Sequence, residues 1–241
     1  MTDLKGKVAL ITGASGGIGT ALAVRLAQDG IDLVLCGRSE EKLAKTRDAV
    51  ASYGVRTFLY AADLTEDGAP ARCMEAALGA FGRLDILINN AGMALSCPFE
   101  ETTMQQFDDI MNTNVRVPYF LCQAALPALR GSDHATIINI TSVVAHKGYP
   151  LQSAYAASKH ALLGLSKSLA NEVYSDGIRV HVIAPGAVFT DMVRIARPDL
   201  TEEGMILPED IAEVAAFFIE HRTNAVVDEI QVHRAGKAPF A

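Results

Sequence analysis

The chain has 241 residues, of which 50% are hydrophobic and 20% charged, with a formal net charge of −7. That composition permits a sizeable core and excludes global disorder. The acidic balance argues against nucleic-acid binding through bulk charge, and no apolar run approaches the roughly 18 residues of a membrane span.

The first residues, Met-Thr-Asp-Leu-Lys-Gly-Lys, lack the charged and apolar regions of a signal peptide. The cysteines Cys36, Cys73, Cys97 and Cys122 form no CxxC and no metal-ligand spacing. A reducing, cytoplasmic setting is expected, with each cysteine packed as a small hydrophobe. Histidines 134, 160, 181, 221 and 233 show no metal spacing either, so no metal site is expected.

Short β-branched or leucine-rich runs alternate with longer helix-like segments along the chain. Strands are predicted over 8–12, 32–36, 56–61, 84–89, 136–141, 179–183 and 229–233. Helices are predicted over 18–29, 40–53, 67–81, 103–129, 153–175 and 208–221. Continuous apolar runs such as Ile86-Leu87-Ile88 suit a sheet buried on both faces. The alternation predicts an α/β fold with a doubly wound, Rossmann-like parallel sheet of about seven strands and helices on both faces. Residues 1–241 are read as a single domain. In such sheets ligands bind beyond the carboxyl ends of the strands, so function is sought just after each one.

After the first strand comes Thr12-Gly13-Ala14-Ser15-Gly16-Gly17-Ile18-Gly19, then a helix. Gly13, Gly17 and Gly19 permit a tight turn, and the loop with Ser15 and Ile18 brings backbone N–H groups toward a diphosphate. The spacing is not the usual G-x-G-x-x-G, and the absence of a Walker lysine disfavours a P-loop. The second strand is followed by Gly37 and Arg38, where an NAD-binding unit often places an acid for the ribose 2′-OH. A guanidinium suits a 2′-phosphate, so NADP is expected over NAD; the other reading is a solvent-facing arginine at a helix start.

Asp63-Leu64 follows the third strand. Asp63 either accepts from an adenine amino group or caps the next helix, and both readings stand. Asn90-Ala91-Gly92 follows the fourth, offering small residues and amides where a dinucleotide would cross the sheet edge. Ser142 closes the fifth strand. Tyr155 and Lys159 are spaced i, i+4 within Tyr155-Ala156-Ala157-Ser158-Lys159, on one face of a predicted helix. A lysine there favours phenolate and is expected to lower the tyrosine pKa, fitting it for acid–base work.

Together these residues resemble the short-chain dehydrogenase/reductase family, over about residues 5 to 192. The likeness includes the Thr12-to-Gly19 loop, Asp63, Asn89-to-Gly92, Asn114, the Ser142/Tyr155/Lys159 set, and Pro185-Gly186 followed by Thr190. The resemblance implies that Tyr155 exchanges a proton with the substrate oxygen while hydride passes between nicotinamide and substrate. It implies that Ser142 polarises that oxygen, that Lys159 holds the nicotinamide ribose, and that Asn114 anchors a water on the proton path. Val188 and Thr190 would meet the nicotinamide amide. Relatives form dimers or tetramers through the helices near 103–129 and 153–175, and a homodimer or homotetramer is expected.

The chain departs from the family pattern in three places. The segment between Thr190 and Pro208 is short and charged (Arg194, Arg197, Asp199, Glu202, Glu203), which implies an open substrate site. The end reads His233-Arg234-Ala235-Gly236 where relatives read Val-Asp-Gly-Gly. Carrier-protein reductases tend to be basic where this chain has Asp133, Asn171 and Asp176, so an acidic carrier would find little steering. The expected substrate residues are Val144, His146, Gln152, Phe189 and Met192, with Ala94 and Leu95 nearby. His146 either binds a polar substrate group or faces solvent. The leading expectation is an NADP-dependent carbonyl reductase or alcohol dehydrogenase acting on a small molecule. A 3-oxoacyl-carrier-protein reductase and a non-catalytic NADP sensor are the alternatives, since a fold does not fix a function.

Overall fold

A computed structural model describes residues 4–191, 193 and 201–236. Seven strands form one sheet in the order β3-β2-β1-β4-β5-β6-β7. They are β1 (Val8–Thr12), β2 (Asp32–Gly37), β3 (Thr57–Ala61), β4 (Ile86–Asn89), β5 (Thr136–Ile140), β6 (Arg179–Pro185) and β7 (Glu229–Val232). Every pairing is parallel. The predicted strands are therefore present, each with ends within two residues of those expected.

The described helices are α1 (Gly17–Gln28), α2 (Glu40–Val50), α3 (Ala69–Phe81), α4 (Met104–Met111), α5 (Val117–Leu129), α6 (Ser153–Val173) and α7 (Pro208–Glu220). The sheet is buried on both faces because alternate residues feed two cores. Ala9, Ile11, Leu33 and Leu35 pack under α1, α2 and α7 with Leu22, Leu26, Leu43, Ile211 and Phe218. Val8, Leu10, Val34 and Leu87 pack under α3, α5 and α6 with Met74, Leu121, Leu129, Leu169 and Val173.

One prediction is corrected here. The single helix over 103–129 is interrupted by a π-helical turn at Asn112–Arg116. Pro118 has no N–H to offer the Asn114 carbonyl four residues back, so a regular α ladder is broken at this point. Such π turns recur at functional sites, and this one carries Asn114.

Strand order reverses about β1, which lies between β2 and β4. Connections from β1 and β4 leave toward opposite faces and open a crevice at their carboxyl ends. The glycine loop and Asn90-to-Gly92 meet in that crevice.

Candidate active site

The loop between β1 and α1 is held by Thr12 and Asn90. Thr12 Oγ1 accepts from the backbone N–H groups of Asn90 and Ala91, both at 3.0 Å. Asn90 Nδ2 donates to the carbonyls of Thr12 (2.9 Å) and Gly13 (3.2 Å). Gly13 has φ +63°, and a Cβ there would lie 2.9 Å from Ala91 Cα. Both facts require glycine. At Gly19 a Cβ would overlap the Gly13 carbonyl oxygen and come 2.7 Å from Ala14 Cα, so the helix packs on the loop without space for a side chain.

No side chain caps α1, and its first turn carries no acid. Its leading N–H groups and the helix dipole thus remain available to an anion. A Cβ on Gly17 would lie 3.0 Å from Thr190 Cγ2, which brings the segment after β6 against the loop. Val188 bridges to Ile206, and the Gly186 N–H donates to the Val232 carbonyl at 2.8 Å.

Arg38 is exposed just beyond β2, before Ser39, which caps α2 through the Lys42 N–H at 3.3 Å. Asp63 Oδ1 accepts from Thr65 N (2.9 Å) and Thr65 Oγ1 (2.7 Å). Those bonds, with the Arg38 charge further off, hold its carboxyl below the usual range. Asp63 does not cap the next helix, because α3 starts after Gly68. Leu64 is buried beside it.

Ser142, Tyr155, Lys159 and Asn114 converge where β5 meets α6. Ser142 Oγ accepts from Val144 N, donates to the Pro185 carbonyl, both at 3.3 Å, and hydrogen-bonds the Tyr155 phenol. Lys159 is buried; its Nζ donates to the Ile140 carbonyl at 3.0 Å and lies 5.8 Å from the Tyr155 ring centre. Burial pulls the lysine down to about 8. A Cβ on Gly92 would be 3.5 Å from both Lys159 Nζ and Asn114 Oδ1, so cofactor-loop and catalytic candidates share one space.

The expected lowering of the tyrosine pKa is not what the structure gives. Burial pushes the Tyr155 phenol up, and the Ser142 bond only partly offsets it. The Lys159 ammonium sits on a backbone carbonyl instead of against the phenol oxygen. The Asn114 side chain makes three hydrogen bonds: Oδ1 accepts from Met93 N at 2.8 Å, and Nδ2 donates to Met93 O at 2.8 Å and Ser158 Oγ at 3.0 Å. Ser158 in turn donates to the Tyr155 carbonyl at 2.7 Å. Asn114 therefore ties the loop after β4 to α6.

Val144 is buried beside Ser142, while Gln152 and Phe189 are partly exposed. His146 is exposed, as one of its two readings expects, and its Nε2 bonds Glu229 on β7. Met192 lies outside the described residues. Thr12, Ser158 and Glu229 were missed as site residues. Thr12 and Ser158 stood inside the two motifs; Glu229, 83 residues from His146, gave no signal. Among the described residues no cluster of side chains has the make-up of a metal site, and no helix is long and apolar enough to cross a membrane.

A family model described as short chain dehydrogenase matches residues 7–201. The chain belongs to the short-chain dehydrogenase/reductase family. It is an oxidoreductase with the NAD(P)-dependent fold of that family. The 3-oxoacyl-(acyl-carrier-protein) reductase FabG of Staphylococcus aureus is 32% identical over 232 residues, covering 92% of this chain and 94% of that relative. A metagenomic short-chain oxidoreductase solved in complex with NADP matches with TM-score 0.84 at 32% identity, over 96% of this chain and 98% of that one. A short chain dehydrogenase from Mycobacterium paratuberculosis, bound to NAD, gives 0.85 at 30% identity, over 96% and 97%. Both nicotinamide dinucleotides thus occur among similar structures.

Proposed function

We propose that this short-chain dehydrogenase/reductase interconverts a small-molecule carbonyl and a secondary alcohol with NADP, using Tyr155 as general acid and base. The observation that carries the reading is the Ser142–Tyr155 hydrogen bond, with Lys159 one helical turn along α6. A bound nicotinamide dinucleotide supplies or accepts hydride. The glycine loop (Gly13, Ser15, Gly17, Ile18, Gly19) would hold its diphosphate. Arg38, Asp63 and Leu64 would surround the adenosine end, and Asn90, Ala91, Gly92, Pro185, Gly186, Val188 and Thr190 the nicotinamide half. The uncapped α1 and the close-packed glycines support that fit.

Tyr155 gives its proton to the carbonyl oxygen in reduction and takes it back in oxidation. Ser142, a donor at the same place, polarises that oxygen. Lys159 remains charged below about pH 8, and its charge near the phenol stabilises phenolate as the proton leaves. Asn114, through Met93 and Ser158, holds the two walls of this space in register. The exposed Arg38 is a forked donor for a 2′-phosphate, which supports NADP. Val144, Gln152 and Phe189 line the substrate side and suit a compound with an apolar body.

The likeness to FabG favours a second reading, reduction of carrier-bound 3-oxoacyl groups. Against it, Asp176 is paired with Arg130 at 2.7 Å and Asp133 with Lys7, so this surface offers little free positive charge to an acidic carrier. A homodimer or homotetramer through α5 and α6 is part of the proposal, supported by Tyr119 and Phe120 exposed on α5. A cytoplasmic setting is also part of it.

The test is cofactor oxidation, with NADPH and NADH in parallel, against ketones, aldehydes, sugars, steroids and 3-oxoacyl thioesters. Tyr155→Phe should lower kcat by roughly 10²- to 10⁴-fold while still binding NADPH. Undiminished turnover in that variant refutes the mechanism. Cofactor binding with no turnover on any substrate class favours the sensor.

A further inference from the structure

We propose that His146 and Glu229 form a latch that positions Ser142. The inference rests on the catalytic reading of Ser142 given above.

The latch follows from how the residues after β5 are tied down. Ser142 opens a 3-10 turn at Val143–Ala145 and caps it by accepting from Val144 N. The His146 N–H closes the turn on the Val143 carbonyl at 3.1 Å. Ser142 through His146 is thus one rigid unit with Ser142 at one end and His146 at the other.

Anchors hold this unit at its two ends and its middle. Ser142 Oγ donates to the Pro185 carbonyl at the end of β6. Ala145 packs into a small buried cluster with Leu163 of α6 and Val182 of β6. His146 Nε2 meets Glu229 Oε1 at 2.5 Å, a bond on the surface between an exposed histidine and a half-buried glutamate. Glu229 is paired with Val182, whereas Pro185 is paired with Val232. The first and last anchors are therefore three residues apart along the sheet, roughly 10 Å.

The spacing matters because the first anchor must be given up. To donate to a substrate oxygen, the Ser142 hydroxyl has to rotate off the Pro185 carbonyl, since it carries one proton. Once that bond is released, Thr141, through its N–H and hydroxyl on the Ile183 carbonyl, and the Ala145 contact still hold the near end and the middle of the turn, and a pivot about them is left for the far end to oppose. The His146–Glu229 bond, at the far end of the unit, opposes the pivot and keeps the Ser142 Cβ in place while the hydroxyl turns. His146 and Glu229 act through Ser142, so they are positioning residues.

The experiment uses the full chain, NADPH and the ketone of the panel with the highest turnover. His146→Ala and Glu229→Ala should each lower kcat roughly tenfold, with the KM for NADPH unchanged. The double variant should be no slower than either single one. His146→Gln, which keeps a neutral donor, should recover most of the loss. In a Ser142→Ala background, His146→Ala should cost nothing further, because its effect passes through the missing hydroxyl. The proposal is overturned if Ser142→Ala abolishes turnover while His146→Ala stays within twofold of the parent. It is equally overturned if His146→Ala costs the same with and without Ser142, which is the mark of a purely structural role. If Ser142→Ala turns over normally, the catalytic reading of Ser142 fails and the latch falls with it.

Discussion

Lys159→Met should make the cofactor-free protein more stable while disabling it. Lys159 is 4% exposed, and its Nζ donates to the Ile140 carbonyl at 3.0 Å. Burial lowers it from 10.5 to about 8, so keeping the folded ammonium charged costs about 3 kcal/mol at neutral pH. Methionine fills a similar volume without the charge. It leaves the Ile140 carbonyl without this donor, which costs about 1 kcal/mol. The expected net gain is about 2 kcal/mol at pH 7, or roughly 4–8 °C in Tm for a domain of this size. The sign of the pH dependence is fixed by linkage. Between pH 8 and 10.5 the unfolded lysine holds a proton that the folded one has lost, so wild-type stability rises with pH in that window. The advantage of the methionine variant should therefore shrink by about 2 kcal/mol between pH 7 and 9.5. Urea unfolding of both proteins at the two pH values, without cofactor, measures this. A variant less stable than wild type at pH 7, or a gap that does not change with pH, refutes the reasoning.

Further outcomes are expected elsewhere in the molecule. His181 is buried, stacked on Phe218, and donates from Nδ1 to the Val227 carbonyl; burial lowers its pKa to about 4. Its contribution to stability is full above pH 6.5 and falls by about 3 kcal/mol as pH drops toward 4, so the difference between wild type and His181→Leu in urea unfolding should follow that window; a pH-independent difference refutes it. Gly19→Ala places a Cβ on the Gly13 carbonyl and should cost roughly 3 kcal/mol, together with NADPH binding measured by fluorescence. Arg38→Asp should weaken NADPH by roughly 10- to 100-fold and improve NADH, and unchanged NADPH affinity removes the case for a 2′-phosphate contact.

The sheet was legible because its signals are local. Ile86-Leu87-Ile88 and Ile137-Ile138-Asn139-Ile140 can only be central strands, and each is followed by small or polar residues where the chain leaves the sheet. The Tyr155/Lys159 spacing is equally local, since one helical turn sets it. What escaped depends on distance or on burial. The π turn needs Pro118 read together with packing on both sides. Thr12 is a short polar residue at a strand end until Asn90 and Ala91, 78 and 79 residues later, fold onto its hydroxyl. The direction of the Tyr155 pKa follows from desolvation against a single hydrogen bond, and neither is visible in a spacing of four.

The two ends of the sheet are built to different rules, and the contrast explains why a costly lysine is tolerated. At the amino ends, polar groups are buried in closed sets. Asp85 accepts from Val8 N at 2.8 Å, from Arg83 twice and from Ser132. Arg222 donates to the Ala135 carbonyl, Thr136 Oγ1 and the Gly177 carbonyl, and Arg179 to the carbonyls of His221 and Thr223. Each set ties a strand to a connection that leads into the sheet, so this end contributes stability. At the carboxyl ends the polar groups are held loosely enough to be reused. Ser142 bonds a carbonyl it can release, Lys159 keeps a buried charge with a backbone carbonyl as acceptor, and α1 begins with no side chain over its N–H groups. A site whose donors were already satisfied would have nothing left for a ligand. The stapled end offsets what the open end costs, and replacing Lys159 removes the part of that cost that comes from its buried charge.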